Sequence, residues 1–220
     1  MCTVLSRSGL ALLILFAATP CLAQSPVRAD RPNVKVGDST VFEDLDVRTG
    51  EKRDTTFVVM KITPDKIVSE TSGSTSGAHT FTRDFNLVEI RTGDAVAVTY
   101  KPFWPHLQFP LEVGQTWEIP FEVDVSVRPV RIAQWQWKAR VVALEPVTVP
   151  AGTFRALKIE YEGSFITREG DKSRTGTHKE TTWFALDPMR IVKRDYEQVV
   201  PSRNFLEHHV IQMLSFKPAP

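Results

Sequence analysis

Five histidines, His79, His106, His178, His208 and His209, are the side chains of this sequence best suited to proton transfer or metal ligation near neutral pH. His208 and His209 are adjacent in an alternating stretch, where neighbours point to opposite faces, so they cannot readily share one ion. His178 stands beside Lys179 and Glu180 on a polar strand, and His79 in a run of small polar residues; these read as surface or internally satisfied imidazoles. Gly73-Ser74-Thr75-Ser76-Gly77 comes near a nucleophile elbow, but Thr75 holds the central position and no helical pattern follows. Ser74 or Ser76 with His79 would make a nucleophile and its base, yet so many small residues hold such geometry poorly. The expectation is a non-enzymatic chain with no metal and no cofactor, hydrolysis ranking last among the readings.

The corner Val149-Pro150-Ala151-Gly152-Thr153-Phe154 raises the question of a phosphate cradle, but it lacks the repeated glycines, the lysine and the following helix of such loops. It reads as a turn: Pro150 fixes φ and Gly152 accepts a backbone conformation closed to other residues. Val147 and Val149 end one strand, and Leu157, Ile159, Tyr161 and Phe165 share one side of the next. Phe154 is out of phase with them, which predicts a bulge or a plug at the corner.

The segment Phe103 to Pro110 carries more information. Pro102, Pro105 and Pro110 keep it out of regular structure, while Phe103, Trp104, Leu107 and Phe109 are too apolar to face water uncovered. It is either a loop folded over an open end of a sheet or the lip of an apolar pocket. Phe103, Trp104 and Phe109, with Trp117, Trp135 and Trp137, are therefore the candidate ligand-binding residues. The partner they imply is an apolar small molecule or lipid. An envelope protein is the alternative, in a structural or assembly role without ligand.

The elements that must position these residues are strands. From Val34 to Phe216 the pattern has period two, broken by turns such as Arg48-Thr49-Gly50-Glu51 and Thr63-Pro64-Asp65-Lys66. Trp117, Ile119, Phe121, Val123, Val125 and Val127 alternate with polar residues. Ala133, Trp135, Trp137, Ala139, Val141 and Ala143 repeat the pattern after a bend at Arg128-Pro129-Val130. The fold class is all-β: a strongly curved antiparallel meander, as a half-barrel or closed barrel, with no long helix. Ser69 to Thr80 reads as a polar loop, and the last strand is half-apolar on both sides, with Leu206, His208 and Val210 opposing Phe205, His209 and Ile211.

Residues 1–23 read as a secretory signal: Arg7, an apolar run from Gly9 to Thr19, and a small-residue site at Cys21-Leu22-Ala23. The expected mature chain is one β-sheet domain, 24–220, periplasmic or secreted. Pro20 before Cys21 disfavours lipid anchoring. Both cysteines, Cys2 and Cys21, fall in the signal, so no thiol or disulfide chemistry remains. Loss of Arg7 takes the formal net charge from +1 to zero, a balance that offers no field for nucleic acid.

The stretch "VPAGTFRALKIEYEG" followed by "TTWFALDPMRIVKRDYE", with "FPLEVGQTWEIPFEV" before them, resembles a pattern in exported bacterial proteins of unknown function. The resemblance covers about Phe109 to Glu197. It implies a periplasmic β-sheet domain, similar in shape to the lipoprotein-localisation factors LolA and LolB, whose curved sheet holds acyl chains. Its motif residues are corners and packing aromatics, so it implies no catalytic residue.

Overall fold

The computed structural model describes residues 27–73, 77–127 and 130–220. Along them run β1 (Arg28–Ala29), β2 (Ser39–Asp46), β3 (Lys52–Ile62), β4 (Lys66–Gly73), β5 (Gly77–Thr82), β6 (Leu87–Thr92), β7 (Ala95–Trp104) and β8 (Leu111–Glu112). They continue with β9 (Thr116–Glu118), β10 (Phe121–Val125), β11 (Arg131–Val149), β12 (Gly152–Glu169), β13 (Lys172–Ala185), β14 (Ile191–Val200) and β15 (Phe205–Lys217). Among the described residues there is no α-helix, only a 3-10 turn at Pro201–Arg203.

Twelve strands close into an antiparallel barrel, in the order β2-β3-β4-β5-β6-β7-β10-β11-β12-β13-β14-β15 and back to β2. Closure rests on β10, which pairs with β7 through Val123↔Tyr100 and with β11 through Phe121↔Trp135. Chain neighbours pair nearly everywhere, the meander that the short hairpins predict. The alternating run from Trp117 to Val125 is cut into β9 and β10 because Pro120 has no N–H to give the ladder, yet both pieces lie along β11. β1 and β8 pair separately as a short ribbon.

Alternation sorts the walls. The outer faces of β11 to β14 carry Lys138, Arg140, Glu160, Glu162, Lys179 and Glu197, a surface suited to water rather than to the apolar belt of a membrane barrel. The inner face of β9 to β13 is aromatic, with Trp117, Phe121, Trp135, Trp137, Tyr161, Phe165 and Phe184 in one buried cluster. Glycines make room for these rings. A Cβ on Gly176 would stand 2.2 Å from the Phe165 ring opposite it, and one on Gly163 would stand 2.8 Å from Trp137.

A bulge between Val141 and Ala143 reverses the phase of β11, so that Val147 and Val149 lie on the face opposite Leu157 and pack in a second buried cluster with Ala156, Val192 and Met213. Phe154 packs against that same cluster. It is out of phase with Leu157 for that reason; the register is continuous at the corner, so the expected bulge does not occur there. Pro150 and Ala151 make the two-residue turn, closed by Val149↔Gly152 with Gly152 at φ 135°.

Two more expectations are corrected. Ser69 to Gly73 and Gly77 to Thr80 are paired strand residues of β4 and β5 rather than a loop, and Ser69, Thr71 and His79 are buried there. His79 and His178 are likewise buried inside the barrel, because their positions on β5 and β13 turn inward by alternation, and His106 is buried on the segment after β7. The signal segment, Cys2, Cys21, the Ser74–Ser76 stretch and Arg128-Pro129 lie outside the described residues.

Candidate functional site

β7 ends at Trp104, and the chain then crosses the barrel interior. Pro105, His106 and Leu107 are buried, and three side chains fasten their backbone. Trp117 Nε1 donates to the Pro105 carbonyl at 3.0 Å and the Tyr161 hydroxyl to that of His106 at 2.6 Å. Asn86 binds Leu107 twice, Nδ2 donating to its carbonyl and Oδ1 accepting from its N–H, both at 2.8 Å. Pro105 supplies no donor, so the inserted backbone is satisfied without a strand partner. The segment is thus an internal strut.

Its imidazole meets a charged centre built by alternation on β13 and β14. His178, Glu180 and Thr182 point inward from β13, and Arg194 and Tyr196 from β14. Arg194 clasps Glu180 bidentately, Nε to Oε1 at 2.7 Å and Nη2 to Oε2 at 3.0 Å. The Thr182 hydroxyl donates to Oε1 at 2.7 Å, and His178 Nε2 lies 3.3 Å from Oε2. Burial alone would push the Glu180 carboxyl up, but Arg194 and His106 outweigh it and hold it well below the usual carboxylate range. The same pair raises Arg194 against its own desolvation.

His106 Nε2 lies 3.3 Å from Arg194 Nη2 and 3.5 Å from Glu180 Oε1. Burial pulls its pKa down, Glu180 opposing, so the neutral ring accepts from Arg194. Trp104 stacks on His106 with centroids 4.7 Å apart, and His178, Tyr196 and His209 form a further stack at 5.4 and 5.2 Å.

Two cavities lie on either side of this centre. The first, about 340 Å³, opens toward the β13–β14 and β5–β6 turns; Phe42, Phe57, Phe81, Phe85 and Leu87 wall it, with Arg194, His106 and His79 presenting polar atoms. Arg194 is engaged through Nε and Nη2, its side chain is 21% exposed, and Nη1 has no partner among the described residues. Arg194 thus brings unused donor capacity to the lining of an apolar-walled space. Asp38 and Arg190 pair at the rim, 2.7 Å apart. The second cavity, about 330 Å³, opens at the other end, with Phe121, Val123, Trp135 and Phe165 inside and Arg131, Arg174 and Arg203 outermost. Trp104 borders both.

Of the six residues singled out by sequence, Trp104 and Trp135 line cavities. Trp117, Trp137 and Phe109 belong to the packed cluster, Phe109 edge-on to Phe184 at 5.4 Å. Phe103, next to Trp104 on β7, lines neither cavity. His208 and His209 diverge as alternation requires, His208 meeting Asp195 at 3.0 Å and His209 meeting Asp44 at 2.8 Å. Sequence reasoning missed Glu180 and Arg194. The available signal was phase: Thr182 and Glu180 keep step with the inward His178, and Arg194 with Tyr196.

No family model and no curated protein matches the sequence. Among solved structures, the chain is similar to an exported protein with a YmcC-like fold from Bacteroides fragilis, at 12% identity and TM-score 0.46 over 86% of this chain and 99% of that one. It is similar to a lipoprotein from Parabacteroides distasonis, at 14% identity and TM-score 0.47 over 88% and 100%. The hypothetical lipoprotein YmcC from Escherichia coli K12 is similar at 11% identity and TM-score 0.44, over 83% and 85%.

Proposed function

We propose that the chain is an exported binding protein without catalytic activity, whose first cavity holds an acyl-like amphiphile with a polar acceptor atom on Arg194. One observation carries this reading: Arg194, whose Nη1 has no partner among the described residues, lines a space walled by aromatic and aliphatic side chains. Such a site is apolar except for one fixed donor, the pattern that orients an amphiphile. Its volume, about 340 Å³, is at the small end of ligand pockets. Burial brings about 0.8 kcal/mol per methylene, so ten methylenes bring about 8 kcal/mol, a micromolar Kd before immobilisation costs.

Catalysis is disfavoured by the state of the charged centre. Glu180 is enclosed and saturated by Arg194, Thr182 and His178, and its depressed pKa makes it a poor proton carrier at neutral pH.

Calorimetric titration with dodecanoate at neutral pH tests the assignment. Saturable micromolar binding is expected in the parent. It is diminished in Ser69→Phe, which places a ring in the cavity next to His79. No saturable heat in the parent, or unchanged binding in a folded Ser69→Phe variant, overturns it.

A further inference from the structure

We infer that the second cavity is a separate site for an amphiphile with an anionic head, its tail inside the barrel and its head at the arginine rim. The rim is assembled from several elements. Arg131 begins β11, Arg174 follows the β12–β13 turn, and Arg203 belongs to the turn before β15. Glu169 is their close counter-ion, accepting from Arg174 Nη1 at 2.9 Å and Arg203 Nη2 at 3.3 Å through one oxygen. One carboxylate shared by two guanidinium groups leaves positive charge over, and Arg131 has no ion-pair partner among the described residues. Glu207 also borders the cavity, so the three arginines exceed the two glutamates by a single charge. That excess suits a singly charged phosphate or carboxylate head.

Below the rim the walls turn apolar, with Val98, Phe121, Val123, Ala133 and Phe165. Trp135 is only 8% exposed, lines this space, and leaves its indole Nε1 without a partner among the described residues; Trp104 Nε1 is in the same condition. Both indole N–H groups are buried donors on rings that line this space. The lining thus joins a cationic rim to an apolar interior. This site faces the end opposite the Arg194 cavity, and Trp104 stands between them.

Tryptophan emission of the whole mature chain, titrated with dodecyl phosphate, dodecyl maltoside and inorganic phosphate, tests the inference. Dodecyl phosphate is expected to saturate the change, and Arg131→Gln and Arg203→Gln each to weaken it about three- to ten-fold. Rising salt weakens it too. Ala133→Phe, which fills this cavity, abolishes the response while Ser69→Phe leaves it intact. Dodecyl maltoside binding equally well, or arginine variants without effect, overturns the anionic head. Inorganic phosphate binding as tightly overturns the amphiphile in favour of a soluble anion. Loss in Ser69→Phe but not in Ala133→Phe assigns the ligand to the other cavity and overturns a second site. Dodecanoate binding to the first cavity can fail while this result holds, so the two readings are judged apart.

Discussion

Arg194 sits diagonally from Glu180 across the β13–β14 ladder, where Thr182 opposes Arg194 and Tyr196 opposes Glu180; the side chains cross that step to meet at 2.7 and 3.0 Å. The carboxylate is wholly enclosed, so removing its partner strands a charge where water cannot reach it. Arg194→Met is expected to cost about 3–5 kcal/mol of folding free energy. Glu180→Leu with Arg194→Met removes both charges and is expected to recover most of that loss. Urea unfolding of the parent, the single variants and the double variant measures the coupling. Additive losses would show that the pair does not act as a unit.

Stability is expected to fall as the medium turns acidic, in two stages. Burial lowers the pKa of His106 and of His79, so below about 6.5 the unfolded chain binds protons that the native barrel refuses. Their contribution is whole above that pH and is lost as pH falls through the folded values. Glu180 adds a loss of the same sign below its unfolded value of about 4.5, because its folded pKa is held far lower by Arg194 and His106 against the effect of burial. Unfolding free energy at pH 7.5, 5.5 and 4 checks this. His79→Phe, set between Phe57 and Phe81, is expected to flatten the first stage.

Trp104 touches the rings of Tyr100, His106, Phe121, Trp135 and Trp137. A ring so enclosed is part of the folded core, so Trp104→Ala is expected to cost about 3–5 kcal/mol without any ligand present. A loss under about 1 kcal/mol would mean that the ring is an exposed lip instead.

At the β11–β12 corner the requirement is backbone conformation. A Cβ on Gly152 meets only Phe154, at 3.8 Å, but φ is 135°, where L side chains are strained. Gly152→Val is expected to cost about 1–3 kcal/mol. No residue of the corner lines either cavity, so ligand affinity per folded molecule should not change. An affinity loss with unchanged melting would make the corner a binding element.

The barrel walls are legible in the sequence where one face is dry. Trp135, Trp137, Ala139 and Val141 alternate with polar residues and do face the core. Legibility stops at the bulge after Val141, because one extra residue exchanges the faces and sends Val147 and Val149 to the face opposite Leu157. The charged centre was hidden for another reason. A period-two pattern marks polar residues as outward unless the barrel encloses a partner, and His106 lies 74 residues from Glu180 in the chain. Glycines opposite rings, such as Gly176 facing Phe165, give no sign of their purpose until the pairing is known.

The central claim is that the barrel interior is a ligand site, and native mass spectrometry of the protein purified from the periplasm without detergent tests it most directly. The account predicts a fraction of molecules carrying an amphiphile adduct, released on denaturation and diminished in Ser69→Phe. Only bare protein, with dodecanoate neither forming an adduct nor raising the melting temperature when added back, would contradict it.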